Sequence, residues 1–402
     1  MTTRVSTAGA SYQALNAMMD AQARLAKTQL QVASGLKFST PADDPLGAMR
    51  AQDLTRQISA KDQYLSNVGF ARSRLSFEES TLASVGDSLT RIRELVLQAA
   101  NDTVNAGDRK SIATEISAVR DTLLDLANRK DAQGEYIFAG LAVQTKPFVR
   151  SGGAIQYYGD QGQRLQKVSE TQRVADGDSG FDVFGRIVEG NGTFVTSAAA
   201  GNTGSGTLSV GSVTDRSLWP GGTYTVQFTS SSTWQVVDSA LPAPNVVASG
   251  NYTSGSAIDF LGVSVTVSGA PAAGDQFVVR DAGSTDLFGS LDKLIANVLA
   301  PTTNDAEKAQ FRTALDGSLQ QLDRSLEHVL DVRAGVGVRL NTLDASQTTL
   351  EDNGINLESM LSDVRDLDYA EAVSRLNLQY AGLQAAQKAM AQVGDLSLFN
   401  YL

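Results

Sequence analysis

The sequence predicts a mainly α protein with an inserted β domain: a long antiparallel helical rod, terminal coiled-coil arms and an outer all-β domain. Three observations carry this reading. All eight prolines fall outside residues 46–146 and 302–402. A proline inside a helix costs about 3 kcal/mol, so both stretches are free to be helical. Within them apolar residues return every three or four positions over many turns. Between them, residues 191–285 hold seven charged residues, with no Lys and no Glu, and both tryptophans. Short alternating runs there, such as 224–228 and 263–267, are separated by Gly, Ser, Asn and Pro clusters, the pattern of strands and turns.

The N-terminal arm carries two apolar registers. Tyr12, Leu15, Met19, Ala26, Ala33 and Leu36 fit one heptad, with Gln22 and Gln29 in its remaining seam positions, and Leu15, Met18, Leu25, Val32 and Leu36 form a second. A helix with two stripes needs neighbours on more than one side. Gly35 is placed to stop this helix. Thr40-Pro41-Ala42-Asp43 resembles a capping box, and Asp44-Pro45 sets an N-cap before a helix-starting proline. Pro41, Asp43, Asp44 and Pro45 therefore form a punctuated joint. The next helix shows Leu82, Val85, Leu89, Ile92, Val96 and Ala99. After a break at 105–108, with Gly107 as stop and Asp108 as N-cap, another shows Ile112, Ile116, Val119, Leu123 and Leu126. Residues 136–138 and 155–160 read as hairpin strands laid against the helices.

The C-terminal helix holds the strictest repeat. Steps of four and three from Leu315 pass through Leu319, Leu322, Leu326, Val329, Arg333, Val336, Leu340, Leu343, Gln347, Leu350, Gly354, Leu357, Leu361 and Val364, and twelve of these fifteen positions are apolar. A heptad held this long marks a coiled-coil seam. Tyr369, Val373, Leu376, Tyr380, Leu383, Gln387 and Met390 continue the pattern into a C-terminal arm, and the chain ends in an apolar tail containing Leu398 and Phe399. Each arm has roughly forty residues, and ordering a residue costs roughly 1–2 kcal/mol. One amphipathic pair recovers that only marginally, so the arms are expected to be loose in a lone chain and to fold on assembly. The expected division is arms 1–43 with 365–402, rod 44–190 with 286–364, and insert 191–285.

Composition removes whole classes of function. With no cysteine there are no disulfides, thiolate nucleophiles or cysteine zinc sites. One histidine, His328, cannot supply a site that needs two imidazoles. A net charge of −11 without a basic block argues against nucleic acid. The start lacks a signal-peptide core, and no run of about 20 apolar residues could span a bilayer. His328 lies between seam residues 326 and 329, where a flanking or solvated helix position outweighs a general base. Asp43 and Asp44 are better read as caps than as an acid–base pair. Gly335-Val336-Gly337 sits in a helical heptad without a preceding strand, a poor phosphate loop. No enzyme, cofactor or metal site is read. Trp219, Tyr224, Trp234 and Tyr252 leave open a surface adhesin that stacks sugars on the insert, against the simpler reading of β-domain core.

Several runs, taken in order, resemble the flagellin superfamily, and within it the FlgL-type hook–filament junction family. They are residues 29–35 (QLQVASG), 40–45 (TPADDP), 91–96 (RIRELV), 127–128 (AN), 134–140 (GEYIFAG), 158–160 (YGD), 366–372 (DLDYAEA) and the end at 396–402. They cover roughly 1–185 and 286–402; the insert resembles nothing specific. Filament flagellins carry an Asp-Asp-Ala-Ala-Gly joint where this chain has 43–47 DDPLG, yet a filament subunit stays the alternative. The resemblance implies a flagellin-like fold and a secreted structural subunit of the bacterial flagellum. It implies type III export with a chaperone on the C-terminal arm, and a homo-oligomeric ring. A neighbouring hook-associated protein would lie on the hook side, and flagellin or the filament cap on the distal side. Assembly would use Leu15, Met19, Leu25, Val32, Leu36, Val373, Leu376, Tyr380, Leu383, Met390, Leu398 and Phe399. Arg91, Leu95 and Glu115 match positions that flagellins use between subunits.

Overall fold

The structure is a computed structural model and describes residues 7–240 and 245–395. In chain order the helices are α1 Thr7–Ser34, α2 Pro45–Ala99, α3 Ala106–Ala127, α4 Gly180–Phe184, α5 Leu287–Val298, α6 Asp305–Arg365 and α7 Tyr369–Asp395. Helical N- and C-terminal regions flank a middle β-sheet domain. Two compact units emerge, residues 1–66 with 346–402, and residues 67–345; the division falls inside α2 and inside α6.

In the 67–345 unit, α2 and α6 run antiparallel. The ion pairs Arg72–Asp344, Glu79–Arg333 at 2.6 Å and Arg93–Asp323 at 2.7 Å step forward on α2 as they step back on α6, and Asp102, just past the end of α2, continues the series to Arg312 at 2.7 Å. The expected heptad is the buried seam: Leu315, Leu322, Val329, Val336 and Leu343 are buried, and Leu319, Leu326 and Leu340 between them are half-buried. Arg333 holds its seam place by turning its guanidinium out to Glu79. The α2 stripe Leu82, Val85, Leu89, Ile92, Val96 and Ala99 is also buried. At the α2–α3 break the cap is one turn earlier than expected. Asn105 accepts from the backbone N–H of Gly107 and Asp108, while the Asp108 side chain accepts from the Asn105 N–H. This capping box makes Asp108 the third helical residue and leaves Gly107 inside the helix.

The segment from 128 to 188 packs on this bundle. Strand β2 Ala154–Tyr157 overlaps the expected 155–160 strand and pairs with β1 Phe148–Ser151, which the sequence reading did not name, and β3 Leu165–Lys167 pairs with β4 Arg173–Ala175. Residues 136–138 form no strand, contrary to the sequence expectation. Only an isolated bridge joins Lys130 to Tyr136, and Ile137, Phe138 and Ala139 are buried in irregular chain. Phe138 meets Phe184 edge-on at 5.2 Å, and Phe148 contacts Phe184 and Phe288. An apolar run that fills an aromatic core does not need a strand partner.

The insert begins and ends at one place, where β5 Ile187–Val188 pairs with the last strand, β15 Ser284–Thr285. Between them lie β6 Phe194–Ala198, β7 Thr207–Leu208, β8 Ser212–Val213, β9 Thr223–Ser230, β10 Thr233–Asp238, β11 Asn245–Asn251, β12 Ala257–Phe260, β13 Val263–Ser268 and β14 Gln276–Asp281. One antiparallel sheet has the order β11-β10-β9-β14-β6. In the other, β12 pairs with β13, whose far edge takes β7 and β8. Alternate side chains of both sheets, including Tyr224, Val226, Phe228, Val263, Val265, Val267 and Phe277, share one core, so the insert is a β-sandwich.

Candidate assembly surface of the terminal helices

The joint explains how α1 and α7 meet. Gly35 ends α1 with φ +71, a left-handed conformation that glycine adopts without strain. Leu36 then bridges Asp366, with Lys37 N–H donating to the Arg365 carbonyl at 2.8 Å and Leu367 N–H to the Gly35 carbonyl at 2.9 Å. A Cβ on Gly35 would lie 2.8 Å from the Tyr369 hydroxyl, so the glycine also admits that ring. The end of α1 therefore adjoins the start of α7, and the two helices run antiparallel. Asp44 accepts from the Gly47 N–H at 2.9 Å and caps α2 as expected. The Thr40–Asp43 run, expected as a capping box, is a turn. Asp43 accepts from the Thr40 N–H and hydroxyl and pairs with Lys27 at 2.9 Å. Lys27, with Thr40 assisting, holds the Asp43 carboxyl well below the usual carboxylate range. Pro41 is exposed in this turn, and Pro45 opens α2.

In the structure the two arms pair as helices α1 and α7. Each helix lends the other a seam, so neither is ordered alone. Leu25, Thr28, Ala372 and Leu383 are buried, with Leu15, Met18, Val32, Leu36, Leu376 and Met390 half-buried around them. This is the second of the two α1 registers. Tyr12 and Met19 of the first register face outward, 70% and 50% exposed, and so does Leu30 at 55%, which belongs to neither register. Spacings of seven and eleven are near-whole helical turns, so these three share a face. On α7, Tyr369, Val373 and Tyr380 flank the seam and are exposed, and Leu378 is 72% exposed on another side. Of the expected assembly residues, Leu15, Leu25, Val32, Leu36, Leu376, Leu383 and Met390 belong to the internal seam. Met19, Val373 and Tyr380 point outward, and Leu398 and Phe399 lie outside the described residues. Leu30 and Leu378 escaped the sequence reading because neither falls in a heptad register; an eleven-residue spacing from Met19 would have found Leu30.

Arg91, on α2, bonds Glu94 at 3.0 Å and Glu115 of α3 at 2.6 Å, and all three are exposed. Leu95 is 1% exposed. It fills the bundle core, so the expectation that it meets a neighbouring subunit is withdrawn. His328 is half-buried, and its Nε2–H donates to the Asp182 carbonyl at 2.7 Å, a tether rather than a base. Trp219 packs at a tilt against Phe194 and Tyr224, and its indole N–H donates to Asp281 at 2.9 Å. Trp234 donates to the Asn251 carbonyl, and Tyr252 lies edge-on to Phe228. These rings are spent on the sandwich. No described helix is long and apolar enough to cross a membrane.

A crystal structure of Xanthomonas campestris FlgL superposes with a TM-score of 0.72 at 35% identity, covering 77% of this chain and 99% of that one. The chain belongs to the FlgL family. The flagellar junction protein FlgL from Legionella pneumophila is similar at 33% identity and TM-score 0.72, over 79% of this chain and 99% of that one. Flagellar hook-associated protein 3 of Escherichia coli K12 is 27% identical over 99% of both chains. Residues 5–142 match the bacterial flagellin N-terminal helical region, and residues 319–402 its C-terminal helical region. The insert, which the sequence reading left without a relative, matches the D2-like domain of flagellar hook-associated protein 1 over 197–281. This FlgL-family chain is thus a structural subunit of the bacterial flagellum and not an enzyme.

Proposed function

We propose that this chain forms the ring that joins hook to filament, after export through the flagellar type III apparatus with a chaperone on its C-terminal arm. The observation that carries the assembly mechanism is the divided use of α1. One apolar register is buried against α7, while Tyr12, Met19 and Leu30 present a second face to a neighbouring helix. An exposed apolar stripe of this length marks an interaction site rather than a solvated surface. Tyr369, Val373 and Tyr380 extend the same logic on α7. The internal seam residues act one step earlier, by holding the two helices so that these faces exist. Arg91 and Glu115 supply a polar subunit contact from α2 and α3. Neighbours are a hook-associated protein on the hook side and flagellin or the filament cap on the distal side. The Legionella relative, named as a junction protein, supports this position over that of a filament subunit.

Deletion of the gene tests the role. Non-motile cells with intact hooks and abundant flagellin in the medium are expected. Lost filaments without released flagellin would make this chain the filament subunit instead, and normal filaments would refute both flagellar positions. Removing either arm, 1–43 or 365–402, leaves a folded core that cannot assemble; a truncation that still forms rings refutes the mechanism.

A further inference from the structure

A charged cluster lies inside the 67–345 unit, away from the arms. Three guanidiniums and five carboxylates meet there. Arg74 of α2 bonds Asp131 at 2.6 Å and Glu135 at 3.2 Å. Arg164 bonds Glu135 at 3.3 Å and Asp176 at 2.7 Å. Arg339 of α6 is paired with Asp178, which also accepts from Gln163 at 2.8 Å. Each guanidinium bonds a carboxylate other than the fifth, Glu78 of α2, while Arg74 Nε and Arg164 Nη2 stay buried without a partner.

Glu78 is 1% exposed and has no ion pair among the described residues. Its Oε1 accepts the backbone N–H of Asp178 at 3.1 Å. Its Oε2 is buried without a donor, and the charge of the neighbouring Asp178 carboxylate acts on the Glu78 carboxyl. Two ionised carboxylates cannot bond each other; one proton between them turns the same contact into a hydrogen bond. A void of about 10 Å³ in the cluster, lined by Arg74, Arg164, Asp176, Gly177 and Asp178, has room for about one water.

We infer that Glu78 is a proton-binding site: in the folded protein it is the neutral acid, donating from Oε2 to the Asp178 carboxylate that pairs with Arg339. Burial is the first cause pushing the Glu78 carboxyl well above its ordinary range, and the charge on Asp178 the second. The proton then ties α2 through Asp178 to α6. Losing it sets two negative charges together in a closed site and works against the Asp178–Arg339 anchor. Folding takes up this proton, so its contribution to stability is complete below the ordinary glutamate pKa and is lost as pH rises through the raised value in the folded state.

The test is urea unfolding of the full chain and of its Glu78→Gln variant from about pH 5 to 9. Glutamine keeps the acceptor for the Asp178 N–H and a donor for the Asp178 carboxylate, but cannot ionise. The unfolding constant of the native chain, divided by that of the variant, is expected to rise with pH by up to tenfold per unit. A ratio that does not change with pH overturns the inference. Should the variant fail to fold, infrared spectra of the native chain labelled with 13C-glutamate or 13C-aspartate decide it. A protonated-carboxyl band at neutral pH that shifts with the glutamate label is expected. Its absence, or a shift with the aspartate label alone, refutes the assignment of the proton to Glu78.

Discussion

Leu383→Ala separates the two roles of the terminal helices. Leu383 is 8% exposed and fills the α1–α7 seam opposite a register whose one buried leucine is Leu25. Truncating a buried leucine costs about 2–5 kcal/mol, the lower figure applying where the surroundings can close on the gap. A two-helix seam with open flanks can close, so about 2 kcal/mol is expected, which raises the local opening equilibrium roughly thirtyfold. Met19→Ala removes a side chain that is 50% exposed on the outward face, where a change within about 0.5 kcal/mol is expected. Amide hydrogen exchange followed by mass spectrometry reads both. Leu383→Ala should speed exchange in residues 7–34 and 369–395 while residues 67–345 exchange as before. Met19→Ala should leave exchange unaltered everywhere yet weaken sedimentable assemblies. Faster exchange throughout 67–345 in Leu383→Ala, or full assembly by Met19→Ala, would refute the division between seam and outward face.

Three further outcomes are expected. Gly35→Ala must hold a left-handed φ and bring a Cβ to 2.8 Å from the Tyr369 hydroxyl; a loss of about 1–2 kcal/mol is expected, seen as faster exchange of the Lys37 and Leu367 amides. Asn105→Ala removes the α3 cap and should cost about 1 kcal/mol in thermal unfolding, while Gly107→Ala, whose Cβ would lie 3.1 Å from the Asn105 Oδ1, should cost less because the cap stays in place. The Asp43 carboxyl is held below its ordinary range, chiefly by Lys27, so its contribution is present above the ordinary aspartate pKa and is lost as pH falls through the lowered value. Exchange at the joint, corrected for intrinsic rates, should accelerate in acid, and Asp43→Asn should abolish that dependence.

The sequence was most legible where one periodicity met one partner. Along α6, the 4–3 spacing from Leu315 is the buried seam in both units, because a heptad has one face and a long antiparallel neighbour covers it. The Gly35 stop and the Asp44–Pro45 helix start were equally clear, since each rests on a property of a single residue. Residues 136–138 misled because an apolar triplet has the same composition whether it pairs as a strand or fills a core. The Asn105 cap was misplaced by one turn because Asn105, Gly107 and Asp108 all carry boundary chemistry, and only the hydrogen bonds rank them.

By itself the sequence determined the order helix, β insert, helix, the length of the α6 seam, and the absence of thiol and multi-histidine chemistry. Tertiary structure alone decided which of the two α1 registers is spent on α7, because spacing gives the angle between side chains but not the direction in which the helix is turned. It also decided that Leu95 faces the core, that Arg91 reaches Glu115 on the next helix, and that Glu78 is left without a cation. Those outcomes depend on charges and surfaces brought together from distant parts of the chain, and local sequence carries no record of which partner arrives first.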